Sequence, residues 1–117
     1  MVGIKVEHGA PRVLVNTITS SSTPTPNCNN TDMFTVTALA ETGTFGAPTG
    51  TPLDGQKLMI RIEDNGTARV LAWNAAYRAG TDVALPLITV LGKVMYCGFI
   101  YNSIDTKWDL VAVTGNV

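Results

Sequence analysis

Apolar and polar residues alternate one by one along much of the chain, the period of a strand with one buried face, and helical periodicity is almost absent. The alternation is cleanest over 56–65. Leu58, Ile60 and Ile62 fall on one face, while Lys57, Met59, Arg61 and Glu63 fall on the other. Asp64-Asn65-Gly66-Thr67 follows, and Asn-Gly is a strong hairpin signal because both residues tolerate a positive φ. The pattern resumes over 68–73, so 56–65 and 68–73 are predicted to pair as a β-hairpin. A second hairpin is predicted from 93–101 and 107–113, turning at Asn102-Ser103-Ile104-Asp105.

Early strands are expected at 13–18 and 33–39, the latter with Phe34, Val36 and Ala38 on one face. Shorter ones are expected near 43–47, 77–79 and 87–91. The segments 20–27 and 46–52 carry Ser, Thr and Pro in loop proportions, and proline has no place in a central strand. Short strands separated by frequent turn signals point to an all-β fold, an antiparallel β-sandwich of jelly-roll type. Residues 1–12 differ: Gly3, Gly9 and Pro11 with mixed charges precede the first clear strand. They read as an extended N-terminal arm on a single β-sandwich domain spanning 13–117.

Length agrees with one domain, since 117 residues leave no room for a second core. A domain of this size buries a limited share of its surface, and partners commonly supplement its stability. Eight basic and nine acidic residues give a net charge of −1, with no basic run. Nucleic-acid binding requires a stripe of phosphate contacts that this composition does not supply. No apolar stretch has the roughly 20 residues of a membrane-spanning helix, and the first residues lack the apolar core of a signal peptide. Synthesis and retention in a cytoplasm until assembly is the expectation. Cys28 and Cys97 are too few for a disulfide framework; Cys28 is expected to be exposed in a polar loop and Cys97 buried in a strand.

Candidate chemistry is sparse. His8 is the single histidine, and it falls in the arm, where a triad has no support. Asp54, Asp64 and Asp105 stand in turn sequences, where a short acceptor satisfies nearby backbone amides. Asp54 and Asp64 flank one strand roughly 30 Å apart if extended, too far for a glycosidase pair. No calcium loop, phosphate loop or metal-ligand spacing is present, and no cofactor is implied. Trp73, Tyr77, Tyr96, Phe99, Tyr101 and Trp108 lie mostly in alternating strands, which favours core or interface burial over a sugar-stacking platform. Tyr77 with Arg78, in a loop-like stretch after Trp73, is the best candidate for exposed recognition. The expectation is a protein without catalytic activity.

Longer motifs carry a resemblance. Thr23-Pro24-Thr25-Pro26-Asn27, Phe34-Thr35-Val36-Thr37-Ala38-Leu39 and Gly50-Thr51-Pro52-Leu53-Asp54-Gly55-Gln56-Lys57-Leu58 occur in that order. Arg61-Ile62-Glu63-Asp64-Asn65-Gly66-Thr67-Ala68-Arg69, Trp73-Asn74, Tyr77-Arg78 and Leu85-Pro86 follow. Lys93, Gly98-Phe99-Ile100-Tyr101-Asn102 and Lys107-Trp108-Asp109-Leu110-Val111-Ala112-Val113 complete the series. Over roughly 13–114 the chain resembles a small module of tailed-bacteriophage structural proteins, found alone in the virion or appended to head or tail fibres. It departs from that pattern at Glu63, in the longer loop at Gly80-Thr81-Asp82, at Cys97 and at its final residues.

The resemblance implies a β-sandwich and a place in the virion, and it brings no catalytic residues. A capsid decoration or cementing protein is expected, bound to the major capsid protein or another virion protein. A homotrimer is the expected state, because repeated sites on a particle lie at symmetry axes. Ile4, Val6, Val13 and Val15 are the candidate partner or oligomer contacts, adding to a neighbouring sheet edge. The alternative is a receptor- or carbohydrate-binding module of a head or tail fibre, using Trp73, Tyr77 and Arg78 on a host glycan.

Overall fold

The computed structural model describes residues 12–117. Eight strands form in chain order: β1 (Val15–Ile18), β2 (Met33–Leu39), β3 (Gly43–Phe45), β4 (Lys57–Asp64), β5 (Leu71–Trp73), β6 (Tyr77–Arg78), β7 (Met95–Asn102) and β8 (Lys107–Thr114). There is no helix among the described residues, as the missing helical period predicted. Six strands make one sheet in the order β1-β2-β4-β7-β8-β6, and β3 with β5 makes a second. The arm proposed over 1–12, with Ile4, Val6 and His8, lies outside the described residues except for Arg12.

The sheet is mixed, which corrects the antiparallel expectation. β1 with β2, β2 with β4, β3 with β5 and β6 with β8 run parallel. Only β4–β7 and β7–β8 are antiparallel. Parallel neighbours need a crossover rather than a tight turn. The segment between β1 and β2 supplies one, running beside β3 through bonds from Thr44 N to Ser22 O and Gly46 N to Pro24 O. A second crossover carries β3 itself between β2 and β4. Alternation along a strand says which face is buried and nothing about which strand lies alongside.

The first predicted hairpin does not form. Asn65-Gly66 does turn the chain, with Gly66 at φ 98° and its amide donating to Asp64 Oδ1 at 3.0 Å. Both edges of β4, however, are occupied by β2 and β7, so no place remains for a returning strand. The chain instead leaves the sheet, and β5 pairs with β3. The second hairpin forms as predicted, β7 against β8. Residues 87–91 make no strand; Ile88 forms one isolated antiparallel bridge with Val70.

Leu58, Ile60 and Ile62 are buried as the pattern predicted, together with Phe34, Val36, Met95, Cys97 and Phe99 of the neighbouring strands. A register shift in β2 between Val36 and Leu39 turns Leu39 inward in place of the expected Ala38. The short sheet adds Phe45 and Leu71 to the same cluster. Full burial of each such side chain contributes about 1.5–3 kcal/mol. Cys28 is buried, not exposed, and both cysteines are free. Its segment is zipped onto the loop after β3: Cys28 N donates to Thr49 O at 2.9 Å, and Gln56 Nε2 to Cys28 O at 2.7 Å. Gly50 permits this approach, since at φ +101° a Cβ there would stand 2.8 Å from Asn29 Cγ.

Candidate functional site

Trp73 of β5 and Tyr77 of β6 come together where the short sheet meets the long one, but not as an exposed platform, and Arg78 turns to other partners. The Trp73 ring stacks on Phe45 at 4.5 Å, and its indole N–H donates to Pro86 O at 2.8 Å. Tyr77 is only 4% exposed. It meets Trp73 edge-on at 5.2 Å and Phe99 at 5.1 Å, and its hydroxyl donates to Gly46 O at 2.9 Å. Burial pushes its phenol above the ordinary range. The rings pack on one another, leaving Tyr77 no open face for a sugar; the exposure expected for it is not found. The short strand expected near 77–79 forms as β6, with Tyr77 turned to the core rather than to solvent.

Arg78 is spent on internal partners. Its Nε donates to Asp109 Oδ1 at 2.7 Å and its Nη2 to Asp109 Oδ2 at 3.0 Å. Nη2 also reaches Asp105 Oδ2 at 3.0 Å. The two-pronged contact to Asp109 is the strong geometry for a guanidinium–carboxylate pair. It holds the Asp109 carboxyl below its usual range and raises the guanidinium. Lys107 Nζ donates to Ala75 O at 2.8 Å, tying down the segment that leads into β6.

Of the turn aspartates, Asp64 accepts from its own turn, at Gly66 N, whereas Asp105 Oδ2 accepts from the Arg78 and Asn102 side chains and Asp54 reaches a distant turn. Asp54 Oδ1 accepts from Ser103 N at 2.9 Å. Asp64 accepts from its own turn, from Thr89 Oγ1 at 2.8 Å and from Gly92 N at 3.2 Å. Burial opposes its ionisation. The Thr89 hydroxyl, the Gly66 and Gly92 amides and the Arg69 charge outweigh that penalty, and its carboxyl sits below the ordinary value. Asp64 therefore anchors residues 89–92 to the end of β4. Burial also pushes the Cys97 thiol up to about 12 and raises that of Cys28. Neither is a thiolate at neutral pH, the form a nucleophile needs. Among the described residues no group of His, Cys, Asp and Glu is placed to hold a metal ion.

Two other places stand open. The first is a groove of about 180 Å³ on the face of the long sheet opposite the core, lined by Thr35, Thr37, Arg61, Glu63, Val94 and Tyr96. Strand register sets Thr35, Arg61 and Tyr96 in one row across β2, β4 and β7. The Arg61 guanidinium stands 5.9 Å from the Tyr96 ring centroid. Thr35 is 4% exposed and its hydroxyl has no hydrogen-bond partner. Sequence reading missed this row because it exists only once the register of three strands is known.

The second is the pair of apolar edges. Val13 and Val15 are 66% and 51% exposed, with Leu14 between them. They lie at the β1 edge, where β2 is the only partner strand among the described residues. Val70, Leu87, Ile88, Val90 and Leu91 form a second exposed apolar strip. Val13 and Val15 are thus placed as partner contacts would be; Ile4 and Val6 lie outside the described residues. Comparison of the chain with protein-family models, with curated proteins and with solved structures gives no match.

Proposed function

We propose that this chain is a non-catalytic structural protein of a tailed-phage particle, a capsid decoration protein that binds the head surface as an oligomer. Made in the host cytoplasm, it would act in the virion, against the major capsid protein or another virion protein. The reading of its two layers as a jelly-roll-like β-sandwich belongs to the same proposal: β3 and β5 share the core of the long sheet and are flanked by extended segments. The observation that carries the function is the exposed apolar β1 edge at Val13–Val15, which among the described residues has β2 as its one partner strand. Exposed edges of this kind are blunted in proteins that remain monomeric, because they recruit further strands. Motif resemblance supports the virion setting. Electron microscopy of the particle tests it: icosahedrally arranged copies on the head are expected, and copies confined to the tail would overturn it.

The second reading, a receptor- or carbohydrate-binding module, is favoured by the groove over Thr35, Arg61 and Tyr96. A buried hydroxyl without a partner, a guanidinium and an aromatic ring suit a hydroxyl-rich ligand, whereas the Trp73–Tyr77–Arg78 corner is occupied by its own contacts. A glycan array with the wild type and with Arg61→Ala decides it. Arg61-dependent binding supports this reading, and a blank array removes it.

A further inference from the structure

We propose that the groove over β2, β4 and β7 is a subsite for one uncharged pyranose ring, held between Arg61 as a donor pole and Glu63 as an acceptor pole. This rests on the second reading above and adds the charge and orientation of the ligand. Strand alternation places the poles. Arg61 and Glu63 are two residues apart on β4, so both stand on the face opposite the core, with Cβ atoms about 7 Å apart. Thr35 and Thr37 flank them on the β2 side, and Tyr96 with Val94 on the β7 side. The two poles thus lie along the middle strand with a wall on either hand.

Both poles are unspent. Among the described residues neither Arg61 nor Glu63 has an ion-pair partner, in contrast to Arg78. The Arg61 guanidinium stands 5.9 Å from the Tyr96 ring centroid, at the outer limit of roughly 6 Å for attraction to a ring. Its fork of N–H donors is left for a ligand, and the Glu63 carboxylate offers only acceptors. Beside Arg61 in the same row, the buried Thr35 hydroxyl has no hydrogen-bond partner. An unpaired buried hydroxyl is costly, and a ligand hydroxyl that pairs with it removes the cost.

One chemical group can serve both poles. A hydroxyl donates and accepts, so hydroxyls on opposite edges of a sugar ring meet the Arg61 fork on one side and the Glu63 oxygens on the other. A charged sugar is poorly served. A carboxylate drawn to Arg61 comes to rest about 7 Å from Glu63, inside the roughly 8 Å screening length of physiological salt. An ammonium drawn to Glu63 meets the same objection at Arg61. The β7 wall suits the ring itself, since an aromatic side chain attracts polarised C–H groups and Val94 is apolar. Size limits the ligand to one ring. The groove's volume of about 180 Å³ falls short of the roughly 300–1,000 Å³ of clefts that enclose drug-sized molecules.

Saturation-transfer NMR on the full chain tests the subsite. The probes are the methyl glycosides of glucose, galactose and mannose, with glucuronate and galacturonate as charged counterparts, all at millimolar concentration. Transfer to at least one neutral glycoside and to neither uronate is expected. Arg61→Ala and Glu63→Gln should each weaken binding on the order of tenfold. Glu63→Gln should in addition admit the uronates, a gain that damage to the fold would not produce. If Arg61→Ala does not fold, Arg61→Lys takes its place; it keeps the charge, lacks the fork and should weaken binding likewise. No transfer to any neutral glycoside, uronate binding by the wild type, or either variant binding as the wild type does would overturn the two-pole subsite. The second reading is judged apart by the glycan array, and an array signal beside any of these failures leaves it standing.

Discussion

The long sheet ends differently on its two sides, and the contrast shows how a small β protein sorts its edges. At one end β6 is two residues long and tied down by side chains. Arg78 clamps it to Asp109 and Asp105, Lys107 holds the preceding segment, and Tyr77 roots it among Trp73 and Phe99. At the other end β1 carries no charge and leaves Val13 and Val15 in water. Short, charged edges resist further pairing, and uncharged apolar ones invite it. One end is held by its own side chains, and the other leaves apolar side chains exposed.

The contrast is sharpest under truncation. Tyr77→Ala should cost about 3–5 kcal/mol, from the lost ring packing and from a Gly46 carbonyl left without its donor. Urea denaturation measures it; a loss below about 1 kcal/mol would mean that this end is not held by its aromatic anchor. Asp64→Ala comes next. It frees the Thr89 hydroxyl and the Gly66 and Gly92 amides, at about 2–3 kcal/mol in the same assay. It should also speed amide exchange across 89–92, loosening the second apolar strip without touching β6.

Acid should separate the two ends further. The folded Asp109 carboxyl lies below its ordinary value because Arg78 holds it ionised. Its contribution is fully present above the unfolded value of about 3.9 and is lost as pH falls through the lower folded value. Amide exchange at Arg78 and Trp108 should therefore accelerate below about pH 4, while exchange in β1 changes less. Asp109→Asn should remove most of that acid sensitivity, and an unchanged profile would assign it elsewhere. The smallest effect belongs to β1: Val15→Ala should shift monomer stability by no more than about 0.5 kcal/mol, because the side chain is solvated. A larger loss, absent at high dilution, would report association through that edge.

Strand positions were readable where alternation was strong. Leu58, Ile60 and Ile62 announced β4 and its buried face, and Asn102 to Asp105 announced the β7–β8 turn. The Asn65-Gly66 signal was equally strong and gave a turn without a hairpin, because β2 and β7 had taken both edges of β4. Cys28 looked like a loop residue, since nothing local reveals that Thr49 and Gln56 close over it. The groove and the closed corner were hidden for the same reason: Thr35 meets Arg61 only through register, and Arg78 meets Asp109 across 31 positions.

The sequence by itself determined that the chain is all-β, which residues of each strong strand face inward, where the chain turns, and that the 13–31 and 83–92 stretches carry no charge. Those are local properties, set by a two-residue period and by turn chemistry. Only the tertiary structure decided which strands are neighbours, that most of them run parallel, and which edges remain open. Pairing partners compete for a limited number of edges, and the winner depends on every strand at once.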